Sequence, residues 1–159
     1  MSNLENIAKA LVAKGKGILA ADESTGTMSK RLASVNVEST SENRLKFRET
    51  LFSSEGIKNY IGGIILYDET IRQKTSSGKT IPELIQSCGS IPGIKVDTGA
   101  KVFASSSEEK ITEGLDGLRE RLSEYYKLGA RFTKWRAVYN IREVGGSNKE
   151  IYPTVLAIK

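Results

Sequence analysis

Four short apolar runs recur along this chain, and each opens into polar residues at its carboxyl end. They are Ile18 to Ala21, Ile61 to Tyr67, Ile94 to Val96 and Phe132 to Ile141. A continuous run such as Ile61-Gly-Gly-Ile-Ile-Leu leaves no wet face, so it predicts a strand covered on both sides. Helical patterns lie between the runs. Asn3 to Ala13 places Leu4, Ile7, Ala8 and Leu11 at helical spacing, and Gly15-Lys16-Gly17 breaks it. Ser41 to Phe52 directs Leu45 and Phe52 inward and Glu42, Arg44 and Lys46 outward. Pro82 suits the first turn of a helix through Ser87, and Gly129 stops a helix over Leu115 to Leu128. Strands alternating with helices imply an α/β fold around a parallel sheet.

Two architectures accommodate four such units. One is a small doubly wound domain. The other is half of a (β/α)8 TIM barrel, which takes ~250 residues when complete. Polar residues collect at the strands' carboxyl ends, where barrels place their sites. A further helical pattern opens at Glu150 and has no closing strand after it. The expectation is therefore a partial (β/α)8 barrel. Residues 1–159 would be the N-terminal half of a single barrel domain with about four parallel strands, truncated at the C-terminus.

Composition narrows the function classes. No apolar run approaches the ~18 residues of a membrane span, and the first residues lack a signal-peptide pattern. One cysteine, Cys88, excludes an internal disulfide, so a reducing cytoplasmic setting is expected. The chain has no histidine, which removes His-based catalysis and His metal sites from these residues. No metal and no cofactor are expected. The net charge of +5 is spread among acids rather than gathered in a stripe. That disfavours a nucleic-acid surface and leaves small anions as the expected partners. Gly78-Lys79-Thr80 resembles the end of a phosphate loop, but the position of its leading glycine holds Gln73.

The chemistry-bearing residues lie on the last two apolar runs. Lys95 and Asp97 are two apart, as are Lys134 and Arg136, and residues two apart on a strand share a face. Buried charges are costly unless paired or used. Three cations and a carboxylate on neighbouring strands thus predict a cationic pocket suited to a phosphorylated small molecule. The alternative is charges that snorkel at strand ends. Asp22 closes the first run at the same rim. It reads either as a capping residue of Asp-Glu-Ser-Thr-Gly or as a carboxylate that orients an ammonium or relays a proton. Lys30 and Arg31 follow on a short helix, and on spacing alone both read as a solvated face. Gly62 and Gly63 within a strand predict close packing. Trp135 alternates with the two cations beside it and should face a covering helix.

Gly17-Ile-Leu-Ala-Ala-Asp-Glu-Ser-Thr-Gly26, followed by Lys30-Arg31-Leu-Ala-Ser, resembles the first strand and loop of eukaryotic-type class I fructose-bisphosphate aldolases. Ser41-Glu-Asn-Arg44, Gly63-Ile-Ile-Leu66, Gly93-Ile-Lys-Val-Asp97, Gly114-Leu-Asp-Gly-Leu118 and Gly129-Ala-Arg-Phe-Thr-Lys-Trp-Arg136 match in order and spacing. The resemblance covers nearly the whole chain. Thr98 departs from it, standing where animal and plant enzymes have lysine.

The resemblance implies a (β/α)8 barrel that splits fructose 1,6-bisphosphate reversibly into dihydroxyacetone phosphate and glyceraldehyde 3-phosphate. A lysine Schiff base would carry the reaction without metal, in glycolysis. It implies catalytic roles for Asp22, in proton handling and lysine orientation, and for Lys134, as positive charge near the Schiff-base lysine. Arg31, Lys95, Arg136 and Thr27 would bind substrate and its phosphate. The complete protein is expected to be a homo-oligomer, a tetramer in this family. The family's Schiff-base lysine and its proton-transferring glutamate belong to later strands and have no counterpart before Lys159. The other reading of the same residues is a catalytically inactive half-barrel that binds phosphorylated ligands or partner proteins.

Overall fold

In a computed structural model, residues 3–104 and 109–138 are described. They run α1 (Asn3–Leu11), β1 (Gly17–Ala21), α2 (Thr25–Ala33), α3 (Ser41–Phe52), α4 (Glu55–Tyr60), β2 (Ile61–Leu66), α5 (Asp68–Ile71), α6 (Ile81–Ser87), β3 (Ile91–Lys95), β4 (Gly99–Val102), β5 (Lys110–Glu113), α7 (Leu118–Lys127) and β6 (Phe132–Lys134). The main sheet has the order β1-β2-β3-β6, with every pairing parallel. β4 and β5 form a separate antiparallel hairpin. Each new strand of the main sheet is added on the same side as the last. A doubly wound sheet reverses direction at a switch point, whereas a barrel does not. The sheet is four consecutive staves of a (β/α)8 barrel.

The pleat sorts the side chains. Ile64, Leu66, Ile94 and Val96 turn outward and are buried with Phe52, Ile57, Ile71, Ile81, Ile85 and Tyr125 of the helices. Full burial of one such aliphatic side chain is worth about 1.5–3 kcal/mol, so this layer fixes the helices to the sheet. Trp135 packs against the same layer, as its alternation predicted. The inner face carries Gly63, Gly93 and Phe132 at its base. A Cβ on Gly93 would fall 2.3 Å from Cζ of Phe132, and one on Gly62 would fall 2.4 Å from the Leu11 carbonyl oxygen. These glycines admit the aromatic ring and the end of α1 against the sheet. Further along the same face stand Lys95 and Lys134, paired in register on β3 and β6.

Several boundaries differ from expectation. β3 begins at Ile91, so Pro92 lies inside a strand, where its carbonyl still accepts from the Arg131 N–H at 2.8 Å. α7 begins at Leu118 rather than Leu115, behind Gly117 in a left-handed conformation (φ 64°). The end of the fourth apolar run, residues 139–141, and the helical pattern from Glu150 lie outside the described residues.

The larger correction concerns α3. Arg44 was expected to face outward, yet the buried stripe of this helix is Arg44, Arg48 and Phe52. Arg44 is buried because Glu69 of α5 takes its guanidinium through two hydrogen bonds, Nε at 2.9 Å and Nη2 at 2.5 Å. The Ser39 carbonyl accepts from Nη1 at 2.6 Å. A bidentate pair of this kind compensates the loss of water. Cys88 caps α6 as a partly buried free thiol whose Sγ lies 3.6 Å from the Phe52 carbonyl oxygen.

Candidate active site

All four main strands point their carboxyl ends to one side, and an open cleft of about 640 Å³ lies there. Asp22, Thr27, Arg31, Lys95, Lys134 and Arg136 all line it. Every site residue expected from the sequence is thus gathered in one place. Lys30, which the sequence left beside Arg31, is exposed and is not part of the cleft wall.

Lys134 ends β6 and donates from Nζ to Oδ2 of Asp22 at 2.5 Å, joining the outermost strands of the described sheet across the cleft floor. Asp22 is mostly buried and Lys134 about two-thirds so. A carboxylate at this distance fixes the direction of the ammonium and keeps a positive charge fixed at the inner face of the sheet.

Lys95 and Asp97 meet as the spacing predicted. Lys95 Nζ donates to Oδ1 of Asp97 at 2.6 Å and to the Asp97 carbonyl at 2.6 Å. The Asp97 side chain is only 2% exposed. It also accepts from the backbone N–H groups of Gly99 and Arg136, each at 3.2 Å. One carboxylate thereby ties together the end of β3, the start of the β4–β5 hairpin and the segment after β6. Thr112 on β5 donates to the Arg136 carbonyl at 2.7 Å, and Arg121 of α7 reaches the Val96 and Gly114 carbonyls. The Arg136 side chain itself is exposed at the rim.

The opposite wall is the loop after β1 and the start of α2. Ser24 caps this helix, its Oγ accepting from the Thr27 N–H at 3.4 Å, and the Thr27 hydroxyl stands 3.3 Å from the same oxygen. A helix N-terminus with free N–H groups favours an anion. Arg31, one turn further on, donates to Oε1 of Glu23 at 2.5 Å. Behind them Arg48 donates from Nη2 to the Glu23 carbonyl at 2.6 Å. Burial lowers the pKa of the Arg48 guanidinium, and the Glu23 and Glu69 carboxylates act against that. Glu69 in turn is held below the ordinary carboxylate range, first by its hydrogen bonds from Arg44.

Glu23, Tyr67 and Asp68 also line the cleft and were not singled out in the sequence. Tyr67 and Asp68 follow β2, so the rule that selected the ends of the other strands selects them too. Among the described residues, no group of three or more His, Cys, Asp or Glu is placed to hold a metal ion.

Fold and site together define a class: a (β/α)-barrel protein with a cleft at the strands' carboxyl ends, lined by lysines and arginines balanced by carboxylates rather than the cationic pocket that the strand pairs predicted. The model of the family described as "Fructose-bisphosphate aldolase class-I" matches residues 3–157. The probable fructose-bisphosphate aldolase class 1 of Xanthomonas axonopodis pv. citri is 56% identical over 143 residues, covering 90% of this chain and 43% of that protein. Fructose-bisphosphate aldolase 1 of Toxoplasma gondii is 50% identical over 151 residues, 95% of this chain and 40% of that one. Cytosolic fructose-bisphosphate aldolase 4 of Arabidopsis thaliana is 52% identical over 144 residues, 91% of this chain and 35% of that one. The Plasmodium falciparum aldolase, solved in complex with TRAP and a small-molecule inhibitor, superposes with a TM-score of 0.89 at 47% identity, covering 94% of this chain and 44% of that one. This chain belongs to the class I fructose-bisphosphate aldolase family. It spans less than half the length of the relatives it matches.

Proposed function

We propose that the full-length protein carrying this chain cleaves fructose 1,6-bisphosphate reversibly to dihydroxyacetone phosphate and glyceraldehyde 3-phosphate through a lysine Schiff base. The observation that carries this reading is the Lys134–Asp22 pair on the floor of a cleft that Arg31, Lys95 and Arg136 also line. A lysine amine attacks a carbonyl only when neutral, and a neighbouring fixed cation lowers its pKa. Lys134 supplies that cation, and Asp22 aims it and handles a proton. The Schiff base, formed on a lysine outside this chain, serves as the electron sink for carbon–carbon cleavage. Arg31, Lys95, Arg136 and the N-terminus of α2 with Thr27 bind the phosphorylated ends of the sugar. The relatives named as cytosolic support a cytoplasmic protein, and the family resemblance supports a tetramer.

The experiment is covalent trapping. Dihydroxyacetone phosphate with borohydride should label the full-length protein through a reduced Schiff base, read as a mass increase on one lysine. It should leave a polypeptide of residues 1–159 unlabelled. Misplacement of a reacting group by ~1 Å costs on the order of 100-fold, so Lys134 alone should not substitute for the missing nucleophile. No labelling of the full-length protein overturns the aldolase reading. Efficient labelling of residues 1–159 overturns the assignment of the nucleophile to a later strand.

A further inference from the structure

Glu23 lines the cleft and grips Arg31, a residue assigned to the substrate, much as Asp97 grips Lys95, but Glu23 alone of the two also stands beside a buried arginine. Its Oε1 accepts from Arg31 Nη1 at 2.5 Å, while its Oε2 stands 3.9 Å from Nη2 of Arg48. The two cations are very different. The Arg31 side chain is 59% exposed at the cleft, whereas Arg48 is 1% exposed and cannot leave. Arg48 has unspent donors: Nη2 carries a second N–H beyond the one given to the Glu23 carbonyl, and Nε and Nη1 have no hydrogen-bond partner among the described residues. A buried guanidinium is poorly compensated when its nearest carboxylates, on Glu23 and Glu69, both stand at 3.9 Å. Glu23 therefore sits between an exposed cation that it holds now and a buried one that can receive it when Arg31 is taken.

We propose that Glu23 is an internal competitor for the substrate phosphate. It occupies Arg31 in the empty cleft and passes to Arg48 when a phosphate takes Arg31. This rests on the reading above that Arg31 meets a phosphorylated end of the substrate. The exchange costs the close Glu23–Arg31 pair and recovers only part of it: phosphate replaces carboxylate on Arg31, and the carboxylate falls back toward Arg48. The loop after β1 stays in place throughout, because Arg48 holds it by the Glu23 carbonyl rather than by the side chain. The consequence runs against ordinary expectation for a cleft residue. Removing the Glu23 charge should strengthen ligand binding, because phosphate no longer has to displace an incumbent.

The test is calorimetric titration of the full-length protein with inorganic phosphate and with fructose 1,6-bisphosphate. Glu23→Gln should lower Kd for both by about two- to fivefold, the equivalent of ~0.5–1 kcal/mol for a partly exposed ion pair. Glu23→Asp keeps the charge but loses the reach to Arg31, and should also tighten binding. It decides the matter if Glu23→Gln fails to fold. In an Arg31→Ala background the gain from Glu23→Gln should vanish. A gain that persists there means simple charge repulsion and overturns the competition, as does unchanged or weaker binding by Glu23→Gln or Glu23→Asp. Failure of the wild-type protein to bind either ligand overturns the Arg31 assignment itself and this inference with it.

Discussion

Lys134 and Asp22 are separated by 112 positions in sequence, yet the ammonium of one donates to the carboxylate of the other at 2.5 Å. β1 and β6 are the two outer strands of the described sheet, and this bond spans the inner face between them. In the proposed reaction the pair supplies directed positive charge and proton handling. Lys134→Ala should therefore reduce kcat of the full-length enzyme by on the order of 100-fold or more, with little change in KM. Arg31→Ala should act mainly on binding and raise KM about tenfold. Steady-state kinetics of the two variants checks the division. The reverse pattern, with KM moved by Lys134→Ala and kcat by Arg31→Ala, would exchange the roles assigned here.

The Arg44–Glu69 pair gives a pH dependence of known sign. Arg44 holds the Glu69 carboxyl below its ordinary value in the fold. A depressed carboxyl contributes stability that is fully present above its unfolded value of about 4.3. That contribution is lost as pH falls through the lower folded value. Glu69→Gln should lower the melting temperature at pH 7, and its deficit against wild type should shrink below about pH 4. Thermal melts of the full-length protein at several pH values measure this. A deficit that stays constant down to pH 3 would show that ionisation of Glu69 does not stabilise the fold.

The base of the sheet is tested at Gly93. A methyl group there meets the Phe132 ring at 2.3 Å, so Gly93→Ala forces the ring or the strand to move. Overpacking of this kind costs about 1–3 kcal/mol. A second change, Phe132→Leu, should recover part of the loss, because it removes the ring the methyl group strikes. Chemical denaturation of the single and double variants decides, and additive losses would mean that the two residues do not meet.

The strands and the main site were legible for one reason: their signals are local. Continuous apolar runs announce buried strands, and the i, i+2 pairs Lys95/Asp97 and Lys134/Arg136 announce a shared face. The β4–β5 hairpin was not legible. Its strands have four residues each, and Gly99-Ala-Lys-Val and Lys110-Ile-Thr-Glu lack a strong alternation. α4 and α5, with six and four residues, are too short for a helical period. The burial of Arg44 and Arg48 was hidden for a different reason. An arginine on a helix reads as solvated until its partners are known, and these partners, Glu69 and the Glu23 carbonyl, lie 25 positions away. The same distance hid Glu23. Its neighbour Asp22 was found from its place at a strand end, but nothing local couples Glu23 to Arg48.

The open edges of the sheet give the last prediction. β1 and β6 each have only one strand neighbour in the described sheet, and Ile18, the second residue of β1, remains 44% exposed despite its apolar surroundings in sequence. An outer strand with unpaired N–H and C=O groups and exposed aliphatic side chains templates association. A polypeptide of residues 1–159 expressed by itself should therefore dimerise or aggregate at micromolar concentration. Ile18→Lys places a charge on that edge and should shift the population toward monomer, since edge lysines are how sheets block further pairing. Sedimentation velocity reads both effects. A compact wild-type monomer with a cooperative melt would mean that these edges are covered within residues 1–159.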